Sequence, residues 1–206
     1  MGLSLNSTSG KLLASAALVG AAASVAGLGT YGAFTSTTSA AATVSSGTVV
    51  IGLGTTGTAN NRLTVAASGI VPGDTIQRAV TLSNTGSQNL AGATLTTTAT
   101  TSSKLDTDAT NGLQMVVDSC SVPWTEAGTA PAYTYTCSGT TASVLATHAV
   151  IGSNLNLSNL ASATAGHADN LRVTLTLPST ADNTFQGISS TVNFSFTGTQ
   201  RSGTNQ

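Results

Sequence analysis

Charge is scarce in this sequence. Only 6% of its 206 residues are Asp, Glu, Lys or Arg, about a quarter of the share in an ordinary domain. Six basic against seven acidic side chains leave a net charge of −1, with no basic stripe to meet a phosphate backbone, so nucleic acid is excluded as a partner. Imidazoles are equally scarce. His148 and His167 are the only two, and neither stands in H-E-x-x-H, the spacing that puts two ligands and a base on one helix face. Glu, Lys and Arg, the usual formers of surface helices, are sparse beyond residue 40, which removes the material of a helical domain.

What is present is hydroxyl. Thr occurs 38 times and Ser 26 times, together 31% of the chain, while 40% is hydrophobic. That apolar share is enough to bury a core, so low charge here does not mean disorder. Thr and Val carry branched Cβ atoms that fit a pleated strand, and an all-β domain is expected.

Residues 12–34 hold no charge and follow a short polar stretch whose only cation is Lys11, the layout of a secretory signal. The run is also long enough to cross a membrane core as a helix of about 20 residues. Small residues at its end (Gly29, Gly32, Ala33) and the lack of a basic stop-transfer flank favour cleavage over retention as an anchor. The expected scissile bond joins Ala33 to Phe34, with the run Ala40, Ala41, Ala42 as second choice. The expected organisation is a signal helix over 1–33, an extended segment over 34–47, a β domain over 48–200 and a flexible tail over 201–206. A membrane enters only through an uncleaved signal.

Export makes the cysteines informative. Cys120 and Cys137 are a single pair with 16 residues between them, and in an oxidising compartment a disulfide is the default. A loop of that size is stabilised by about 3 kcal/mol in the chain-entropy account. A metal site or a redox pair lacks support, because there is no C-x-x-C and no His cluster.

Strand signals fill the body of the chain. The run 48–53 reads as a buried strand entering a glycine turn, and Leu63 and Val65 alternate next. Beyond the turn at 70–74, Ile76, Arg78, Val80 and Leu82 share one face against Gln77, Ala79, Thr81 and Ser83. Further strands are expected over 90–98, 113–118, 133–137 and 150–160. The clearest alternation is Leu171, Val173, Leu175, Leu177, stopped by Pro178, and the last is Val192, Phe194, Phe196. The segments 102–111 and 141–149 have an ambiguous period that also admits a short helix. Eight to ten short strands with turns between them predict a jelly-roll-like antiparallel β-sandwich.

Chemical motifs are weak. Gly52, Gly54 and Gly57 match G-x-G-x-x-G, but turn and strand formers follow where a dinucleotide site needs a helix, so this is a glycine-rich loop and no cofactor is expected. A zinc site would need both His and a carboxylate such as Asp169 to converge from separate loops; surface histidines are the simpler reading. Asp106 and Asp108 could hold a hard cation but read as a solvated loop. There is no G-x-S-x-G elbow for a hydrolase. Trp124, inside the cysteine loop, is expected to pack on the bridge. No catalytic, cofactor or metal residue is assigned.

Four stretches in order carry a resemblance: Gly29-Thr30-Tyr31-Gly32-Ala33-Phe34-Thr35; Ala42-Thr43-Val44-Ser45-Ser46-Gly47-Thr48-Val49; Val71-Pro72-Gly73-Asp74 leading to Val80-Thr81-Leu82-Ser83-Asn84-Thr85-Gly86-Ser87; and Phe185-Gln186-Gly187-Ile188 leading to Phe194-Ser195-Phe196-Thr197-Gly198-Thr199-Gln200. The chain resembles the TasA/camelysin family of exported bacterial proteins. The resemblance implies a jelly-roll-like sandwich, processing by a SipW-type signal peptidase at Ala33-Phe34, and a role as fibre subunit of an extracellular biofilm matrix. Camelysins are also described as metallopeptidases, but no metal-ligand spacing carries over to this sequence.

An assembly route follows from the residues. After cleavage, 34–46 is uncharged, free of Pro and rich in Thr and Ala, so it can extend as a strand and add to a neighbour's open sheet edge. Phe34, Ala40 and Val44 are its candidate residues. Such a head-to-tail contact with another copy does not close and generates a filament. The runs 48–65 and 90–101 carry almost no charge, so as edges they would be poorly guarded. A secreted peptidase and a monomeric surface adhesin are the alternatives.

Overall fold

The computed structural model describes residues 47–63 and 65–203. The expected signal helix, the Ala33-Phe34 bond and the candidate assembly residues Phe34, Ala40 and Val44 lie outside these.

Strands dominate because the β-branched and apolar residues recur at a period of two. They are β1 (Ile51–Leu53), β2 (Val65–Ala67), β3 (Thr75–Asn84), β4 (Leu90–Thr101), β5 (Gln114–Cys120), β6 (Thr125–Thr129), β7 (Ala132–Thr136), β8 (Thr141–Ala149), β9 (Gly152–Leu157), β10 (Ala168–Thr176) and β11 (Ser190–Gln200). A single-turn helix, α1 (Lys104–Thr107), follows β4. One sheet has the order β1-β3-β10-β5-β8 and the other β2-β11-β4-β9, with β6 and β7 forming a separate hairpin. Every pairing is antiparallel.

The connectivity is that of a jelly roll. From β2 to β5 the chain crosses between sheets at each step, β5 and β8 are neighbours, and from β8 to β11 it crosses at each step again. The eight strands β2, β3, β4, β5, β8, β9, β10 and β11 thus form two interlocked four-stranded sheets. β1 is an added edge strand beyond β3, and β6 and β7 are an insertion between β5 and β8.

Between the sheets lies the core. Leu171, Val173 and Leu175 of β10 point inward beside Val80 and Leu82 of β3 and Met115 and Val117 of β5, meeting Val65, Leu95 and Val192 from the other sheet. Burying each such side chain contributes about 1.5–3 kcal/mol. One Thr joins them. Thr97 is buried, its hydroxyl donating to the Val150 carbonyl at 2.6 Å and accepting from Gly152 N at 2.8 Å, so the turn between β8 and β9 is tied into the second sheet.

The structure corrects four expectations. The run 48–53 is not a buried strand: only Ile51–Leu53 pairs, and Val50 and Leu53 are 48% and 41% exposed. Upstream of β1 the backbone bonds to a turn instead, through Thr85 N to Val50 O and Ser87 N to Thr48 O. Segment 141–149 is strand β8; register shifts against β5 break its alternation, which is why its period was ambiguous. The Thr-rich run 90–101 is no edge but an interior strand between β11 and β9. Asp106 and Asp108 are not a solvated loop: Asp106 is a buried member of α1, and Asp108 caps its C-terminus.

Candidate functional site

The inserted hairpin is the most chemically dense part of the molecule. β5 ends at Cys120, and Cys137 stands between β7 and β8, so their disulfide, Cα to Cα 5.8 Å, ties the neck of the insertion. The bridge pairs the residues expected from the sequence. Trp124 packs with Cys120, Ala79 and Tyr135 on the outer face of the first sheet and donates its indole N–H to the Asn170 carbonyl at 2.9 Å. The Arg172 guanidinium lies 4.4 Å from the Trp124 ring centroid and pairs with Asp118 at 3.1 Å.

A second ion pair joins the hairpin to the glycine-rich loop. Arg62 donates to both oxygens of Glu126, Nε at 3.0 Å and Nη2 at 2.8 Å, and Nη1 donates to the Gly57 carbonyl. The Tyr135 hydroxyl donates to Glu126 at 2.8 Å. The Arg62 hydrogen bond, helped by that of Tyr135, holds the Glu126 carboxyl below its usual range despite burial. Burial and then Glu126 push the Tyr135 phenol up to about 12. The 64-residue separation of Arg62 and Glu126 hid this pair from sequence reasoning.

The residues considered for metal or catalysis do not converge. His148 lies on β8, with Nδ1 2.7 Å from the Ala149 carbonyl, while His167 precedes β10. His148 is therefore in a strand and half-buried, not on a surface loop. Asp169 accepts backbone N–H bonds from Ala161 and Ser162 and organises the 3-10 turn there. Asp106 accepts from Ser103 N, Ser102 Oγ and Ser190 Oγ in a capping box; burial alone would raise its pKa, but these bonds outweigh it and lower it. Backbone N–H groups of Asn111 and Thr110 lower that of Asp108. Among the described residues no three His, Cys, Asp or Glu side chains are placed to hold a metal ion, and both cysteines are spent in the disulfide. The described donor set does not fit a resident metal. The G-x-G-x-x-G stretch runs from β1 into turns with no helix after it.

Among the described residues, one interior strand is left partly uncovered. β2 covers only three residues of β11, Ser190 to Val192, whereas β4 runs alongside it to Gln200. Among the described residues, 193–200 have no strand on the other side. Phe194 and Phe196 are half-buried there, alternating with exposed Asn193, Ser195 and Thr197. Across from this edge stands β1, and a cleft of about 110 Å³ lined by Ile51, Gly52, Leu53, Leu82 and Phe196 opens between them. Gly198 permits the close approach: a Cβ there would lie 2.9 Å from Ile51 Cγ2. The alternation of Phe194 and Phe196 marked the strand, but which side of it lacked a neighbour depends on the shortness of β2, for which the sequence carries no signal.

No helix among the described residues is long and apolar enough to cross a membrane. No curated protein matches the chain. The family model described as Camelysin metallo-endopeptidase matches residues 7–205, nearly the whole sequence, and with the sandwich fold already in view the chain belongs to the TasA/camelysin family.

Proposed function

We propose that the protein is a secreted structural subunit of extracellular matrix or cell-surface fibres, assembled when residues 34–46 of one copy add as a strand to β11 of the next. The observation that carries this reading is the eight-residue stretch of β11 that, among the described residues, pairs with β4 on one side and has no strand on the other, beside an apolar cleft. Unpaired backbone groups on such an edge gain hydrogen bonds from an added strand, and alternate side chains find the cleft. Lengths agree. Thirteen extended residues reach about 43 Å and eight residues of edge span about 26 Å. The described chain begins near the end of its own β11: Thr48 bonds to Ser87 and Gln88, and Arg201, just after β11, donates to Gln88 at 2.9 Å. A contact of this kind joins different surfaces on the two copies and propagates.

Electron microscopy and sedimentation of chain 34–206 beside chain 47–206 test the reading. Filaments from the first and small particles from the second are expected; filaments of equal number and shape from both would contradict it. The family's description favours a second reading, a secreted metallo-endopeptidase. It requires casein cleavage that a chelator abolishes, and the described residues offer no ligand set for it.

A further inference from the structure

Arg78 is placed where an arginine is costly. It belongs to the inward row of β3 with Ile76, Val80 and Leu82, sits opposite buried Val173 of β10, and is only 6% exposed. A guanidinium stays charged even when burial lowers its pKa, as it does here. Buried charges are normally paired, and among the described residues no carboxylate pairs with Arg78. Its one hydrogen bond is from Nη1 to the Gln77 carbonyl at 2.7 Å. Glu126 is spent on Arg62 and Tyr135. The Tyr133 ring faces both guanidiniums, Arg62 at 4.5 Å and Arg78 at 5.5 Å, so this cluster holds two cations to one carboxylate.

The remaining donors of Arg78 have a space to address. A cleft of about 300 Å³ is lined by Arg62, Arg78, Asn61, Thr56, Tyr133 and Pro131, with Ala66 at the edge strand β2, and no acidic side chain lines it. That volume is at the lower end of small-ligand sites. A second cleft of about 370 Å³ shares Ala66, Arg78 and Pro131 with the first and contains Asp74. Asp74 holds the Val71 N–H at 2.8 Å and disfavours a second negative charge on that side.

We propose that the cleft between edge strand β2 and strand β3 is a binding site for a small monocarboxylate, held by the free donors of Arg78 with its uncharged body against Pro131 and Ala66. One planar fork with free donors matches one carboxylate, and the net single positive charge of the Arg62, Arg78 and Glu126 cluster favours a monoanion over phosphate. The carboxylate can come from an acidic sugar or from the end of a peptide.

Calorimetric titration of the purified protein with galacturonate and with N-acetylalanine separates these sources, the methyl ester of each serving as the uncharged control. Submillimolar binding of at least one acid is expected, with the ester and the R78Q variant each at least tenfold weaker. Because R78Q can disturb the fold, Ala66→Trp, which fills the cleft from an exposed position, is measured alongside; it too is expected to weaken binding at least tenfold with the melting temperature kept. Lack of binding by both acids, equal binding of acid and ester, or unchanged binding in Ala66→Trp would each overturn the proposal.

Discussion

The scarce charged side chains and single members of the abundant hydroxyls are used in this protein as joints. Thr97 is the clearest case, since its hydroxyl serves both the Val150 carbonyl and the Gly152 N–H. Thr97→Val keeps the shape and strands both backbone groups, so urea unfolding should show a loss of about 1–3 kcal/mol; a loss near zero would mean water replaces the hydroxyl. Asp106 joins β4 to β11 through Ser103 and Ser190, and its depressed pKa has a consequence for acid stability. The unfolded carboxyl takes its proton near pH 4, the folded one lower, so the stabilising difference is fully present above about pH 4 and is lost as pH falls through the folded value. Glu126, Asp108 and Asp182 are shifted the same way. The urea midpoint should therefore drop below about pH 4, and Asp106→Asn should flatten part of that drop. Tyr135 acts at the other extreme. Its phenol is pushed up to about 12, so stability present below the unfolded value near 10 is lost as pH rises through the folded one. Tyr135→Phe should remove that alkaline loss; an unchanged alkaline limb would show that Tyr135 does not cause it.

At the scale of elements, the alternation of Leu171, Val173 and Leu175 and of Ile76, Val80 and Leu82 made β10 and β3 legible in the sequence, because both strands are buried on one face at constant register. β8 was not legible, since its shifted pairing leaves Val144 as its only fully buried residue. β1 misled for another reason: Thr48, Val49, Val50 and Ile51 are apolar and branched enough for an interior strand, and only the tertiary position shows that they lie at an edge. Within the cysteine loop the strand expected over 133–137 is β7, its hairpin partner β6 had no such signal, and Trp124 packs on the bridge as its position beside Pro123 suggested. The Arg62 to Glu126 pair and the lone Arg78 were not foreseen as sites, although an arginine in the row of Ile76, Val80 and Leu82 was a visible signal. Replacing Cys120 and Cys137 by Ser should lower stability by about 3 kcal/mol. The disulfide closes an insertion, so the variant should keep the jelly-roll sheets while amide exchange speeds up in β6 and β7 first; uniform acceleration across β3 and β10 would contradict that division.

For the whole molecule, a jelly roll hides most strand edges by stacking two sheets, and short edge strands and charges guard the rest. Here β2 is so short that, among the described residues, eight of the eleven residues of β11 have a strand on one side only, and those residues, Asn193 to Gln200, include no charge. The scarcity of charge in the sequence therefore acts at a particular place. It leaves this edge without a guarding charge, and residues 34–46, the strand proposed to add there, are uncharged as well. The most direct test is hydrogen exchange on β11. Adding a synthetic peptide of residues 34–46 to chain 47–206 should slow exchange of amides within 193–200 while leaving β5 and β10 unchanged. Unaltered exchange in 193–200, with protection elsewhere or none, would contradict strand addition at this edge.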